Sequence, residues 1–150
     1  MLKKEIPQDQ YQDTLRYFFE KDKPLLSKYH VWAGTGLDAC VYKTSWVLIS
    51  HNVKLYGLYQ NDKLVAYFGE EHKNNMPYMT GFAIHPEYRN GDTKADFWRD
   101  VEAHFGTNFL IGIFGRNDRA RAFLEKQGCV RHDFCFTPEG LGEFYMYEVK

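Results

Sequence analysis

The sequence lacks any apolar run long enough to cross a membrane. Its longest runs, Trp46 to Ile49 and Phe109 to Phe114, are far shorter than the ~20 residues that a membrane-spanning helix needs. The opening MLKKEIPQDQ contains no apolar stretch of the kind found in a signal peptide. We therefore expect no membrane partner and a cytoplasmic location.

Cysteine is scarce, and the histidines show no metal-binding spacing. Cys40, Cys129 and Cys135 are odd in number and form no CxxC pair, which favours reduced, buried thiols. None of the six histidines stands in an HxxxH or HExxH pattern. The sequence thus indicates no disulfide framework and no metal site.

A surplus of positive charge is also missing. The chain has 19 basic and 20 acidic residues, and its formal net charge is -1, so its overall field does not attract nucleic acid. The local group Arg116, Arg119, Arg121 and Lys126 is expected to solvate the outer face of a helix. We expect no nucleic-acid partner.

No repeat, low-complexity stretch or linker divides the 150 residues, so we predict one domain over 1–150. Residues 1–52 are predicted to be mainly helical. Apolar side chains of Gln8 to Glu20 recur at helical spacing, Leu25, Leu26 and Tyr29 indicate a short second helix, and a stripe from Leu37 to Leu48 indicates a third. A strand over Val41 to Ile49 remains an alternative for the last of these, because short apolar runs fit both structures.

Residues 53–150 alternate between strand and helix patterns. The predicted strands are Val53 to Tyr59, Leu64 to Glu70, Pro77 to Ile84, Asn108 to Phe114, Val130 to Phe136 and Glu143 to Val149. One helix is expected from Thr93 to Phe105, with a Thr93–Asp96 capping box and Gly106 at its end, and another from Asn117 or Asp118 through Gln127. A strand, a helix and a buried strand in succession predict a βαβ unit, and the last two strands predict a closing hairpin.

Two segments carry a resemblance to a known family. Phe82-Ala83-Ile84-His85-Pro86-Glu87-Tyr88-Arg89-Asn90-Gly91 and the run from Asn117 through Ala120 and Phe123 to Gly128 resemble two motifs of the GCN5-related N-acetyltransferase (GNAT) superfamily. The resemblance implies an α/β fold with a central mixed sheet, a βαβ cofactor unit, helices on both faces and a C-terminal hairpin. The loop also resembles that of bacteriophage-encoded GNAT-like proteins.

The resemblance implies that the chain would be an acyl-CoA-dependent N-acyltransferase that uses acetyl-CoA as cosubstrate. The acetyl group would pass by direct attack to an amine on a small molecule or protein. Residues 53–150 would form the cofactor-binding core, and residues 1–52 would face the acceptor. The implied cofactor-binding residues are Phe82, Ala83, Ile84, Arg89, Asn90, Gly91, Asp92, Thr93, Lys94, Asn117 and Phe123. A helix N-terminus at Arg89 to Ala95 suits a pyrophosphate, and Arg89 and Lys94 add mobile positive charge.

The sequence departs from the family pattern in two places. If the phosphate motif starts at Arg89, Asp92 and Lys94 stand where small residues would let phosphate approach, and the charge of Asp92 repels an anion. A start at Tyr88 instead places Gly91 and Thr93 at these positions. Leu124 stands where many members carry the tyrosine that protonates the leaving thiolate. Tyr145, or Tyr147 on the same strand, is the replacement acid that we consider, and Glu70, Glu71 and His85 are the candidate general bases.

These departures leave a second function open. A GNAT-fold protein that has lost catalysis would act as a binding or structural component, and a phage-like relative would place it in a virion. Tyr56, Tyr59 and Tyr67 are expected to fill the core rather than a pocket. Exposed edge strands leave room for a homodimer, although no residue pattern specifies one.

Overall fold

The computed structural model describes residues 1–23, 26, 36–136 and 144–150. Along these residues the chain forms β1 (Leu2–Ile6), α1 (Tyr11–Lys21), α2 (Leu37–Ser50), β2 (Lys54–Gln60), β3 (Lys63–Lys73), β4 (Met76–Ile84), α3 (Gly91–Phe105), β5 (Phe109–Phe114), α4 (Asp118–Lys126), β6 (Val130–Phe136) and β7 (Phe144–Val149). Short 3-10 helices span Gln8–Gln10 and Pro86–Tyr88. Within the described ranges, no helix is both long and apolar enough to span a membrane.

The strands form one seven-stranded sheet in the order β1-β2-β3-β4-β5-β7-β6. Among the described strand pairs, β4 and β5 run parallel and the other five pairs are antiparallel. The helix that joins the two parallel strands begins at Gly91, two residues before the predicted start at Thr93. The predicted mixed sheet with a βαβ unit and a C-terminal β6–β7 pair is confirmed.

Helices cover both faces of the sheet, and each layer buries its own apolar cluster. On the α3/α4 face, Phe97 and Leu124 pack with strand residues such as Met79, Ile111 and Tyr147. On the α1/α2 face, a second cluster contains Leu15, Phe18, Cys40, Val41, Leu55 and Tyr67. Burial of these side chains is the main favourable term in holding the helices on the sheet.

Three sequence-based expectations need correction or restriction. Residues 2–6 form strand β1, which we did not predict, because four of its five residues are exposed and the edge strand shows no apolar alternation. Residues 41–49 are helical, which excludes the alternative strand. Of the predicted short helix, Leu25 and Tyr29 lie outside the described residues, as does the loop from 137 to 143.

The start of α3 is also capped differently from the prediction. The side chain of Asn90 accepts a hydrogen bond from the Thr93 N–H at 2.9 Å, so Asn90, and not a Thr93–Asp96 box, caps the helix. The predicted cap at Asn117 is confirmed, since its side chain accepts from the Ala120 N–H at 3.2 Å. Gly106 ends α3 with φ of 77°, a conformation that glycine adopts without strain.

Candidate functional site

A bulge interrupts β4 in its middle. Phe68 of β3 faces Phe82 and Glu70 faces Met79, so β4 has one more residue than β3 between these two pairs. The extra length is taken up at Gly81, whose φ is +74°. A Cβ on Gly69 would clash with the Thr80 carbonyl oxygen and lie 2.8 Å from Val53 Cγ1. Glycine is therefore needed at both positions to bend the strand.

The bulge coincides with the point where β4 and β5 separate. The parallel pairs are Tyr78–Leu110, Met79–Ile111 and Thr80–Gly112, whereas β4 continues to Ile84 and β5 to Phe114. Pairing thus stops one residue before Gly81. The prediction that these strands separate at their C-terminal ends is confirmed.

A cavity of about 300 Å³ lies where the strands have parted. Seven residues that the sequence assigned to cofactor binding line it together: Phe82, Ala83, Ile84, Arg89, Lys94, Asn117 and Phe123. Its wall also includes Phe18, Phe19, Asp22 and Tyr67 from the α1/α2 face and Arg119 and Ala120 from α4. The opening therefore joins elements that are far apart in the sequence.

The other four assigned residues, Asn90, Gly91, Asp92 and Thr93, form the cap and first turn of α3. Asn90 occupies the Thr93 N–H, as described above. A Cβ on Gly91 would meet nothing within 4 Å, so the main chain there is open to a ligand. The first N–H groups of a helix have no partner within the helix and carry partial positive charge. This turn, beside the cavity-lining Arg89 and Lys94, is chemically suited to an anion.

Arg89 is held in place rather than mobile. Its Nη1 and Nη2 donate to the two carboxylate oxygens of Asp22 at 3.0 and 2.7 Å, and its Nε donates to the Ile84 carbonyl at 2.8 Å. Arg119 Nη1 lies 3.8 Å from Asp22 Oδ1. Asp22 thus places a carboxylate between two guanidinium groups in the cavity wall. No local sequence signal marks it, because Arg89 is 67 residues away along the chain.

The two adjacent glutamates at the end of β3 face opposite sides of the sheet. Glu70 lies on the α3/α4 face, where its Oε2 is 2.9 Å from His104 Nε2, and it does not contribute to the cavity wall. Glu71 lies on the α1/α2 face with 7% exposure, and, like Glu70, it is not among the described residues of the cavity wall. Its Oε2 accepts from the Thr80 hydroxyl at 2.8 Å, and its Oε1 is 3.3 Å from His51 Nδ1. Glu71 is therefore tied to the residue at which the strands part.

His85 is buried beside α1 and the turn that follows β4. It has 1% exposure, its Nδ1 accepts from the Glu87 N–H at 3.3 Å, and Nε2 has no hydrogen-bond partner among the described residues. The ring packs against Tyr17 with centroids 4.7 Å apart. Burial lowers the pKa of His85, although the nearby Glu87 carboxylate opposes the shift. Burial among aromatic rings therefore favours the neutral form of the imidazole.

The tyrosines that could serve as the acid differ in whether they line the cavity. Tyr145 lies between Arg121 and Arg131, whose guanidinium carbons are 5.7 and 4.9 Å from its ring centroid, and it is outside the cavity wall. Tyr147 is buried and donates to Glu125 at 3.1 Å. Tyr67 is 5% exposed, as expected for a core residue, and it also lines the cavity. Burial raises its pKa, so its hydroxyl stays protonated.

The helix α4 turns Phe123 rather than Leu124 toward the cavity. Leu124 is fully buried in the cluster beneath α3 and α4. Phe123 lies in the cavity wall, with its ring stacked on Phe97 at a centroid distance of 6.1 Å. An acid at position 124 would not reach this cavity directly.

Comparison with known proteins identifies the fold. No protein-family model and no curated protein sequence matches the chain. Solved structures do match. They include AAC(6')-Ib in complex with ribostamycin and coenzyme A, at TM-score 0.70 and 13% identity over 99% of this chain and 92% of that one. PaiA N-acetyltransferase from Thermoplasma acidophilum in complex with coenzyme A has a TM-score of 0.66 and 12% identity over 100% of both chains.

A third similar structure is an acetyl transferase from Salmonella typhimurium that modifies the N-terminal serine of 50S ribosomal subunit protein L7/L12. Its TM-score is 0.68 at 12% identity, and the alignment covers 97% of this chain and 91% of that one. At such identities the likeness concerns the backbone and its topology. Together with the bulged β4 and its separation from β5, it shows that the chain has the fold of the GCN5-related N-acetyltransferases.

Proposed function

We propose that the chain is an acyl-CoA-dependent N-acyltransferase that transfers an acetyl group from acetyl-CoA to an amine. The observation that carries the proposal is the cavity between the parted strands, bordered at one end by the first turn of α3. The neighbours described above, two of them with coenzyme A bound, support the same use of this fold.

The described residues fit the two chemical parts of acetyl-CoA. Phe82, Ala83 and Phe123 offer an apolar wall to the pantetheine arm. The open main chain at Gly91 and the cations Arg89, Lys94 and Arg119 suit the pyrophosphate. Asp22 opposes an anion there, so we propose that phosphate oxygens replace its carboxylate on Arg89. When bound, acetyl-CoA supplies a thioester carbonyl that a neutral amine attacks.

Glu71 is the general base in this proposal. An acceptor ammonium must lose a proton before it can attack, and a carboxylate within hydrogen-bond reach, directly or through one water, can take that proton. The Glu71 carboxylate accepts a hydrogen bond from the hydroxyl of Thr80, which is the residue that precedes the opening. His51, which is half exposed, contacts the same carboxylate and provides a route for the proton to solvent.

Tyr67 replaces the missing acid of α4. It is the phenol in the described part of the cavity wall, and it lies opposite Ala83 across the β3–β4 pair. Its protonated hydroxyl donates a hydrogen bond to the departing thiolate. A single proton-transfer group of this kind typically contributes ~10²–10⁴-fold to the rate.

Calorimetric titration with acetyl-CoA tests the binding part of the proposal. Ala120→Leu adds bulk in the cavity wall, whereas Ala122→Leu makes the same change at an exposed position of the same helix. We expect wild type and Ala122→Leu to bind acetyl-CoA and Ala120→Leu to bind at least tenfold more weakly. Equal affinity in all three proteins, with unchanged melting temperatures, would place the cofactor elsewhere.

Turnover measurements with a panel of amines test the catalytic part. Glu71→Gln is expected to lower kcat at least a hundredfold while the KM for acetyl-CoA changes little, and Tyr67→Phe is expected to lower kcat with acetyl-CoA affinity retained. Glu70→Gln, on the opposite face, is the matched control and should keep wild-type kcat. Loss of activity in Glu70→Gln but not in Glu71→Gln would reverse the assignment of the base.

A second function follows from the burial of Leu124. Position 124 carries no proton donor and does not reach the cavity, and Asp22 already neutralises Arg89. Both features suit a GNAT-fold protein that binds a partner without catalysis. Binding of acetyl-CoA with no consumption of it against any amine tested would favour this alternative.

A further inference from the structure

Three polar side chains stand in line at the far end of α3, away from the cavity. Lys3 Nζ lies 2.6 Å from His104 Nδ1, and His104 Nε2 lies 2.9 Å from Glu70 Oε2. The three residues come from β1, α3 and β3. An amine, an imidazole and a carboxylate in this order form the arrangement in which a base, oriented by a carboxylate, activates a nucleophile.

The imidazole in the middle is firmly oriented. His104 has a side-chain exposure of 10% and Glu70 one of 18%. The His104 ring contacts the rings of Tyr56, Phe68 and Phe105 at centroid distances of 4.5, 5.0 and 4.9 Å. Packing on three rings, together with the carboxylate bond, fixes which nitrogen faces which partner.

The hydrogen bonds assign the protons. A carboxylate only accepts, so His104 Nε2 carries a hydrogen and donates it to Glu70. The lone pair of Nδ1 then faces Lys3, whose ammonium donates to it. Transfer of that proton leaves a neutral amine on Lys3 and an imidazolium paired with Glu70.

We propose that Lys3 is a reactive lysine that accepts acyl groups from activated acyl donors, with His104 as its general base and Glu70 as a positioning residue. The amine nitrogen attacks the acyl carbon, so one N–C bond forms and the bond from the acyl carbon to its leaving group breaks. The first ammonium proton goes to His104 and then to water, and the second goes to the leaving thiolate or phosphate. No oxidation or reduction takes place.

Other charged groups border the cluster without interrupting it. His72 Nε2 is 3.7 Å from Glu70 Oε2, and the Tyr56 hydroxyl donates to Glu70 Oε1 at 3.5 Å. Burial raises the pKa of Tyr56, and the negative charges of Glu70 and of Glu5, which is on the same strand as Lys3, add to the shift. These contacts leave the line from Glu70 through His104 to Lys3 intact.

Lys4 provides a control within the same strand. Both lysines are exposed, and both lie over a tyrosine ring, Lys3 at 5.4 Å from Tyr56 and Lys4 at 5.1 Å from Tyr59. They point to opposite faces of β1, and the contact with His104 belongs to Lys3. Any difference in their reactivity therefore reports on the imidazole.

The test measures acetylation of the intact protein by acetyl phosphate and, separately, by acetyl-CoA, with peptide mass spectrometry as the readout. We expect Lys3 to react at least tenfold faster than Lys4 with both donors. Because acetyl phosphate does not need the cavity, this result is independent of the proposed cofactor site. Ala120→Leu should leave the Lys3 rate with acetyl phosphate unchanged.

Variants of the base separate a chemical role from a structural one. His104→Gln should reduce the Lys3 rate to that of Lys4 while leaving the Lys4 rate unchanged. Glu70→Gln should give an intermediate rate. Equal rates for Lys3 and Lys4 in wild type would overturn the proposal, and so would a Lys3 rate unaffected by His104→Gln in a protein that keeps its melting temperature.

Discussion

The two edges of β4 differ sharply. On the β3 side, paired residues extend from Lys73–Met76 to Ala66–Ile84, with one bulge. On the β5 side, pairing covers three residues and ends at Thr80. The same strand is therefore closed along one edge and open along half of the other.

Backbone geometry, more than any side chain, therefore creates the cavity. Beyond Thr80, the main chain of β4 has no strand partner on its β5 side within the described residues. Buried peptide groups without partners are costly, so this stretch is stable only where another group or solvent reaches it. The Ile84 carbonyl, for example, accepts from Arg89 Nε.

Gly69→Ala should have the largest effect, because it disrupts the closed edge of β4. The new Cβ would clash with the Thr80 carbonyl oxygen, so the bulge cannot form as it stands. We expect destabilisation of about 3 kcal/mol, the upper end of the usual range for overpacking, since a clash with main chain relaxes poorly. Urea unfolding measures the change. Gly91→Ala, which meets nothing within 4 Å, is the control and should retain wild-type stability.

Gly81→Ala should test the open edge itself. Its φ of +74° is costly for alanine, by about 1–2 kcal/mol. Gly106→Ala carries the same strain at φ +77° with open space around it, so both variants should lose similar stability. If the bulge shapes the cavity, acetyl-CoA affinity in calorimetry falls in Gly81→Ala alone. A parallel loss in Gly106→Ala would attribute it to global destabilisation.

Asp22→Asn should test whether the cations at the opening bind the phosphates of acetyl-CoA. Removing the carboxylate takes away the negative charge beside Arg89 and Arg119, and we expect acetyl-CoA to bind about tenfold more tightly, equivalent to ~1.4 kcal/mol. Asp38→Asn removes an exposed partner of Arg16 and is the matched control. Weaker binding in Asp22→Asn would show instead that Asp22 orients Arg89 for the ligand.

His85, directly after the closed edge, should give the smallest effect. Because burial lowers its pKa in the folded protein, the unfolded chain binds more protons below pH ~6.5. Stability should therefore fall as the pH drops from 6.5 toward the folded-state pKa, with no contribution above that range. His85→Asn, which keeps a cap acceptor, should flatten this slope in melting curves between pH 7.5 and 5.

Much of the fold was accessible from sequence because strong patterns marked it. The apolar stripe of α1, the Asn117 cap and the apolar run of β5 gave elements of the right type within a few residues. β1 carries no such pattern, since its stability comes from main-chain pairing with β2. The grouping of seven assigned residues around one cavity agrees with the motif resemblance, whereas their role in binding stays a prediction.

The contributions of Asp22 and Tyr67 were not predictable in the same way. Each becomes part of the cavity wall only because α1 and β3 pack beside β4, and contacts across 67 residues leave no local trace. The same holds for Lys3 and His104, which are 101 residues apart. Side chains that meet through tertiary packing cannot be paired by spacing along the chain.

Local sequence patterns were enough to assign most element types, the βαβ unit, the Asn117 cap and the helix end at Gly106, because periodicity, caps and glycines act over a few neighbouring residues. Tertiary packing, in contrast, places Glu70 and Glu71 on opposite faces of the sheet, pairs Asp22 with Arg89 and turns Phe123, not Leu124, toward the cavity. Strand register, the bulge opposite Gly69 and helix rotation fix these outcomes, and each depends on packing between distant segments.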